Sequence, residues 1–396
     1  MKNLLFLVHR IPYPPNKGDK IRSYHFLKGL ADHYNVHLAS FIDDLDDWQY
    51  VDKVENYVLS SKFIKLSPTV AKLKSVSGLV TQQALSVPYY HSKILQQWVD
   101  KTIAESKIDK VFVFSSVMYQ YVKKYNNLDI IIDFVDVDSD KWLQYSQKAQ
   151  WPMSWVYRRE AKRLLEFDHN AAENSKISLF VSQDEAALFA QLLKLASGKI
   201  DFVNNGVDTD YFQHNKSFES PYQQEKVIVF TGAMDYWANV DAVLWFVEKV
   251  FPLVKQQNKN IQFYIVGSNP AKEVLNLANT EGVFVTGRVD DIRPYLVFSH
   301  VVVAPLLIAR GIQNKVLEAM AMGKAVVASS QAIEGISLAQ QEVYEANEPV
   351  RYAELVLESL NEGDAPYYSD INRQFVLKHY AWETSIRRLI QFIESD

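Results

Sequence analysis

The chain has 396 residues, 48% of them hydrophobic and 22% charged, so disordered, collagen-like and low-complexity classes are excluded and a soluble folded protein of two or three domains is expected. With no cysteine there is no disulfide framework, thiolate zinc site or thiol nucleophile, which suits a reducing compartment, with the cytoplasm as default; a net charge of −5 argues against bulk nucleic-acid binding. Only 13 glycines are present, less than half of the roughly 7% average, so the position of each one is informative.

The amino terminus, MKNLLFLV, reads as a buried strand, because its apolar run ends at His9 and Arg10 and is too short for a signal peptide or a membrane span. Apolar and β-branched runs then predict strands at Leu4 to Val8, Asn35 to Phe41, Lys62 to Leu66, Lys110 to Phe114, Ile130 to Phe134, Lys176 to Val181 and Ile200 to Val203. After a polar stretch from Asp208 to Glu225, the rhythm resumes at Val227 to Phe230, Ile261 to Val266, Val283 to Val285, His300 to Ala304 and Ala325 to Ala328. Amphipathic segments separate the runs, which is the pattern of an α/β chain with parallel sheets covered by helices on both faces. The predicted organisation is a first domain over residues 1–207, a linker at 208–225, a second domain at 226–380 and a final amphipathic helix at 381–396 that crosses back. Ligands of such open sheets bind beyond the carboxyl ends of the strands, so a cleft between two doubly wound domains is the first place to look.

The turn after the first strand, HRIPYPPNKGDKIRSYHFLKGLA, joins a proline-stiffened approach to a helix that begins near Asp19 or Lys20. Gly18 permits close backbone approach, and the helix start suits a phosphate. Lys17, Lys20 and Arg22 add cations there, although a proline-rich turn with solvated charges has the same composition. Farther on, residues 67–83 set Lys72 and Lys74 beside Val70, Leu73, Val76, Leu79 and Val80. Residues 151–163 join Trp151, Trp155 and Tyr157 to Arg158, Arg159, Lys162 and Arg163. Basic amphipathic stretches with aromatics suit an anionic membrane surface or the outer layer of a sheet. The DFVDVD run at 133–138 has the look of a D-x-D metal motif, a reading at odds with the two-domain layout; a helix cap by Asp138 or Ser139 is the plainer one.

In ARGIQNKVLEAMAMGKAVVAS, from Ala309 to Ser329, Gly311 precedes a helix whose apolar positions Val316, Leu317, Met320 and Ala321 recur at helical spacing, and Gly323 closes it. Glu318 sits among apolar neighbours and needs a partner: Lys315 one turn back, or the hydroxyls of a bound sugar or ribose.

LEAMAMGKAVVAS after Pro305, with NNGVDTDYF at 204–212, resembles the retaining glycosyltransferases of family 4, which have the GT-B fold of two facing Rossmann-like domains. PPNKGDKIRSYHFLKGLA, DFVDVDSDKW and FTGAMDYWANVDAVLWF resemble a narrower bacterial group of exopolysaccharide and exosortase-associated sugar transferases. The resemblance implies a donor site in which Gly18 and Lys20 meet the diphosphate, Glu318 holds the ribose hydroxyls, and the helix from Gly311 and Ile312 points at the phosphates. Gly232 falls at a strand end where such a cleft needs close backbone approach; Asp235, Tyr236, Trp237 and Asn239 read as a loop before a helix, either facing the donor sugar or an ordinary surface turn; and Arg288, placed beside the nucleobase by the resemblance, has a plain surface arginine as its alternative. Trp245 and Phe246 read as core. By the same resemblance Asp136 stands beside the reacting carbon, orienting the acceptor hydroxyl or stabilising positive charge on the sugar ring.

Two family features are absent. The position eight before Glu318 holds Arg310 where a glutamate is usual, and GAMDYWANVD at 232–241 has neither of the usual cations of the diphosphate clamp. Arg310 and Lys315 are the expected replacements, since a cation about 4 Å from a phosphate charge gains about 4 kcal/mol of gross attraction at an effective dielectric near 20. The implied activity is metal- and cofactor-independent transfer of a hexose from a UDP- or GDP-sugar to a glycan or lipid-linked saccharide, in the cytoplasm or at the inner face of the membrane, with no nucleic-acid partner. In the route usual for the family, the departing phosphate oxygen takes the acceptor proton on the same face. A GT-B epimerase and a non-catalytic sugar-binding scaffold are the alternatives.

Overall fold

A computed structural model describes residues 1–15, 18–193, 197–215, 217–223, 226–309, 312–336, 338–361 and 368–395. The chain forms two compact units, Met1–Asn205 with Ser385–Asp396, and Gly206–Thr384.

The first unit is built on a seven-stranded parallel sheet of β1 (Lys2–Val8), β2 (Tyr34–Ile42), β3 (Ser60–Lys65), β4 (Lys110–Phe114), β5 (Asp129–Val135), β6 (Ile177–Phe180) and β7 (Ile200–Phe202). Its order is β3-β2-β1-β4-β5-β6-β7. Strands covered on both faces have no solvent side, so β4 is buried at every position and β1 from Leu4 onward; the sequence shows runs there in place of alternation. The second unit has a six-stranded parallel sheet of β8 (Val227–Thr231), β9 (Gln262–Val266), β10 (Val283–Gly287), β11 (Val301–Ala304), β12 (Val326–Ala328) and β13 (Val343–Glu345), in the order β10-β9-β8-β11-β12-β13. The strand order reverses between β1 and β4 in one sheet and between β8 and β11 in the other, and these are the points where an open α/β sheet offers a crevice. Both units are therefore Rossmann-like, as the runs predicted. β13 was not among the predicted strands.

One boundary differs from expectation. The stretch after Gly206 lies on the second unit: Val207 bridges Ala381, Arg373 donates to the Phe212 carbonyl at 2.8 Å, and the Tyr222 hydroxyl donates to the Tyr295 carbonyl at 2.6 Å. The final helix, Trp382–Glu394, belongs to the first unit from Ser385 onward. There Leu389 and Ile393 are fully buried, Lys110 donates to the Ile393 carbonyl at 2.8 Å, and Arg388 pairs with Asp201 at 2.6 Å. Gly29 makes the close approach possible, since a Cβ there would meet Ile386 Cγ2 at 2.5 Å.

Candidate active site

In the second unit the carboxyl end of β8 runs straight into Gly232, whose backbone lies against that of Gly267 at the end of β9. A Cβ on Gly267 would stand 1.6 Å from the Gly232 carbonyl oxygen, so only glycine allows the two strand ends to meet. Gly232 faces a polar pair: a Cβ there would lie 2.7 Å from Asn239 Nδ2 and 3.2 Å from Lys315 Nζ. Asn239 sits in the Trp237–Trp245 helix, where it donates to the Ala233 carbonyl at 2.9 Å and accepts from Lys315. Lys315 comes from the Asn314–Ala321 helix that follows β11, and its ammonium lies 4.2 Å from the centre of the Phe230 ring. Three segments of distant sequence thus place one cation at the switch point of the sheet.

The electrostatics follow from that placement. Burial pushes Lys315 down to about 7, against the pull of Glu318, which lies one turn on along the same helix face. Burial likewise pushes Glu318 up to about 7, against the pull of Lys315. Each group holds its charge weakly, and an arriving anion or hydroxyl donor shifts the balance. Glu318 is also within electrostatic reach of Tyr211 in the NNGVDTDYF motif. Thr231 Oγ1, at the end of β8, and Asn314 Oδ1, at the start of the helix, are buried with no hydrogen-bond partner among the described residues. Such orphaned groups stand out in a folded chain and are satisfied when a polar ligand arrives.

The other donor-site expectations fall as follows. Trp237 and Asn239 are in the helix, not in the loop before it; Tyr236 caps that helix, and Asp235 is exposed in the turn, with Asn269 donating to it at 3.4 Å. Phe246 is core, and Trp245 is half-buried against Tyr352. Arg288 is exposed just after β10, and Ile312 packs on the core close to Gly335. The Gly311-led helix begins three residues later than its glycine, at Asn314. Arg310 and Gly311 lie outside the described residues, as does Lys17.

In the first unit Gly18 opens the Gly18–Ala31 helix, and a Cβ there would have nothing within 4 Å among the described residues. The cations assigned to that start are otherwise engaged. Lys20 is buried in an ion pair with Asp47. Arg22, also buried, binds Asp133 at 2.8 Å, the Val203 carbonyl at 2.7 Å and Asn205 at 3.0 Å. Neither side chain is a mobile phosphate ligand. Residues that spacing did not single out gather at the first turn of this helix: His9, just after β1, lies 3.5 Å from Asp19, and Arg10 pairs with Asp19 at 3.2 Å and with Asp43 at 2.9 Å. Burial alone would raise Asp19, but the bond from His9 and the charge of Arg10 hold it well below the usual range. The termination of the apolar run at His9 and Arg10 was the one sequence signal for this cluster.

The three aspartates of DFVDVD part company. Asp133 is the buried partner of Arg22, while Asp136 and Asp138 share Lys141 at 2.7 and 3.1 Å. Among the described residues no group of three or more His, Cys, Asp or Glu converges as a metal site. Asp138 is inside its helix, Asp138–Lys148, capped by Val137 without a side-chain bond, so the cap reading is replaced. Asp136 follows Val135, a β-branched residue at φ 70° at a bulge where β5 shifts register against β6. A conformation that costs about 1–3 kcal/mol and stands at a strand's carboxyl end is the kind of feature concentrated at functional sites.

Residues 225–362 match the model of the group 1 glycosyl transferases, a span that contains the Gly232, Asn239, Lys315 and Glu318 cluster. The chain has the GT-B fold, and its second unit carries a group 1 glycosyl transferase domain. Among solved structures, the sucrose-phosphate synthase of Thermosynechococcus elongatus and Anabaena HepE in complex with UDP each superpose with a TM-score of 0.69 at 14% identity; both alignments cover 99% of this chain, and 98% and 99% of those chains. WaaG, a glycosyltransferase involved in lipopolysaccharide biosynthesis, superposes at 0.58 with 14% identity over 99% of this chain and 100% of its own. No curated protein matches the sequence of this chain.

Proposed function

We propose that this chain is a glycosyltransferase that moves a hexose from a nucleotide-diphosphate sugar to a hydroxyl of a glycan or lipid-linked saccharide, with retention at the anomeric carbon, in the assembly of exopolysaccharide or another cell-surface polysaccharide. The observation that carries the reading is Lys315, held by Asn239 beside the Gly232 wall at the switch point of the second sheet. A cation desolvated there gains most when negative charge develops on the departing diphosphate, which is where preorganised stabilisation accelerates transfer. Glu318, one turn on, accepts bonds from ribose hydroxyls. Gly18 opens a helix, and a Cβ on it would touch none of the described residues, so its amino end is a second place for phosphate oxygens. Anabaena HepE has been solved with UDP and with UDP-glucose, which favours a UDP-sugar as donor. The leaving oxygen takes the acceptor proton on the same face, and the protein supplies positioning and charge, with no metal or cofactor.

A panel of UDP-, GDP-, ADP- and dTDP-sugars, read by thermal shift and by product formation, tests the reading, because a ligand raises apparent stability with its excess over Kd. One nucleotide class is expected to shift the melting, and the product glycoside to keep the donor's anomeric configuration by NMR. Lys315→Ala is expected to lower turnover about 10²- to 10³-fold. A loss below about threefold with donor affinity intact refutes the role of Lys315. A new nucleotide sugar formed without acceptor identifies an epimerase instead.

A further inference from the structure

The first unit carries an apolar surface that its core does not use. In the helices Pro68–Ser75 and Ser77–Val80, Ala71 and Gly78 face inward, while Val70, Leu73, Val76, Leu79 and Val80 face out, with Leu73 at 76% and Val80 at 86% exposure. A helix serving as the outer layer of a sheet turns such residues the other way. A second exposed group starts the Met153–Glu173 helix: Trp151, Met153 and Trp155. The two groups are fastened together. Arg159 donates to the Gly78 carbonyl at 2.6 Å and to the Gln83 carbonyl at 3.1 Å, and Glu160 accepts from the backbone of Leu85 and Ser86 at 2.6 and 2.9 Å.

Between these helices opens a cavity of about 390 Å³, lined by Ser75, Leu85, Tyr89, Trp142, Met153 and Tyr157, large enough for part of an apolar molecule. Cations rim the apolar ground: Lys72, Lys74, Arg158 and Lys162 are all exposed. Tryptophans at the edge of an apolar ridge, with lysine and arginine around it, match the layered polarity of a bilayer interface, apolar chains below and anionic headgroups above. Another protein surface would have to supply the same sequence of layers; an anionic bilayer has it intrinsically. Among the described residues no helix is long and apolar enough to cross a membrane, so the contact is one of lying on the surface.

We propose that this face of the first unit docks on an anionic lipid bilayer, with Leu73, Val76, Val80, Trp151 and Trp155 immersed at the headgroup boundary and the four cations against the phosphates. The proposal does not depend on the transfer reaction, and its test does not use it. The full chain is spun with vesicles of two parts phosphatidylcholine to one part phosphatidylglycerol, and with phosphatidylcholine alone. Co-sedimentation with the anionic vesicles is expected, weakening at high salt. Lys72→Ala with Lys74→Ala is expected to weaken binding about tenfold or more. Leu73→Glu with Val80→Glu, both on the surface, is expected to abolish it while leaving circular dichroism and nucleotide-sugar binding unchanged. Absence of vesicle binding by the parent chain, or binding that survives the glutamate pair, overturns the proposal. So does concentration-dependent self-association that the glutamate pair removes in the absence of any vesicle binding, since the face would then cover a second copy.

Discussion

At the scale of single residues, the site turns on how weakly Lys315 holds its proton. Its ordinary value is 10.5, and burial brings it to about 7 in the folded chain, so its contribution to stability is present above the ordinary value and lost as pH falls through about 7. Glu318 moves from 4.5 to about 7; its contribution is present below the ordinary value and lost as pH rises through about 7. A bound diphosphate needs the lysine charged. Affinity for UDP, measured by titration, is therefore expected to weaken as pH rises from about 6 to about 8, and Lys315→Met is expected to flatten that slope. Asn239→Asp places a carboxylate on the ammonium, raises its proton affinity, and is expected to move the fall in affinity to higher pH. An unchanged slope in both variants would exclude Lys315 as the diphosphate's cation.

At the scale of elements, two glycines separate folding from binding. Gly267→Ala drives a methyl group into the Gly232 carbonyl and is expected to destabilise the second unit by about 1–3 kcal/mol or more by denaturant melting. Gly18→Ala meets none of the described residues within 4 Å, so stability is expected to hold or rise while nucleotide-sugar affinity falls. If affinity is untouched, the helix start at Gly18 does not serve the donor. The central strands β1, β2, β4, β8 and β11 were readable because each is largely a buried run; β13, three residues with Glu345 exposed at the sheet edge, has no run to read. Helix starts were misplaced where caps are silent: Tyr236 and Gln313 precede their helices without a side-chain capping bond, and no Ser, Thr, Asp or Asn marks the boundary. The cation cluster at Lys20 and Arg22 was misread because the partners that neutralise it, Asp47 and Asp133, lie 27 and 111 residues away. Local spacing cannot reveal a charge paired across the sheet. Glu318 and Lys315 were legible for the opposite reason, being one helical turn apart among apolar neighbours.

At the scale of the whole molecule, the chain's last residues complete the unit that its first residues begin. Lys2 pairs with Glu394 at 2.9 Å, and Tyr34 hydrogen-bonds to the same carboxylate. Leu389 and Ile393 are fully buried in the first unit, although the 179 residues from Gly206 to Thr384 separate them from the rest of it. Truncating either side chain removes transfer energy and leaves a cavity, so Leu389→Ala and Ile393→Ala should each lower stability by about 2–5 kcal/mol. That loss should be unevenly distributed, because local opening follows the unit whose core is damaged. Hydrogen exchange is expected to quicken in β1, β2 and β4 and to stay slow in β8, β9 and β11. Equal quickening in both sheets would mean that the chain unfolds as one cooperative body. Quickening confined to the first sheet would mean that its closing helix can be weakened while the Lys315 site keeps its geometry, and UDP titration of Ile393→Ala would then give the parent affinity.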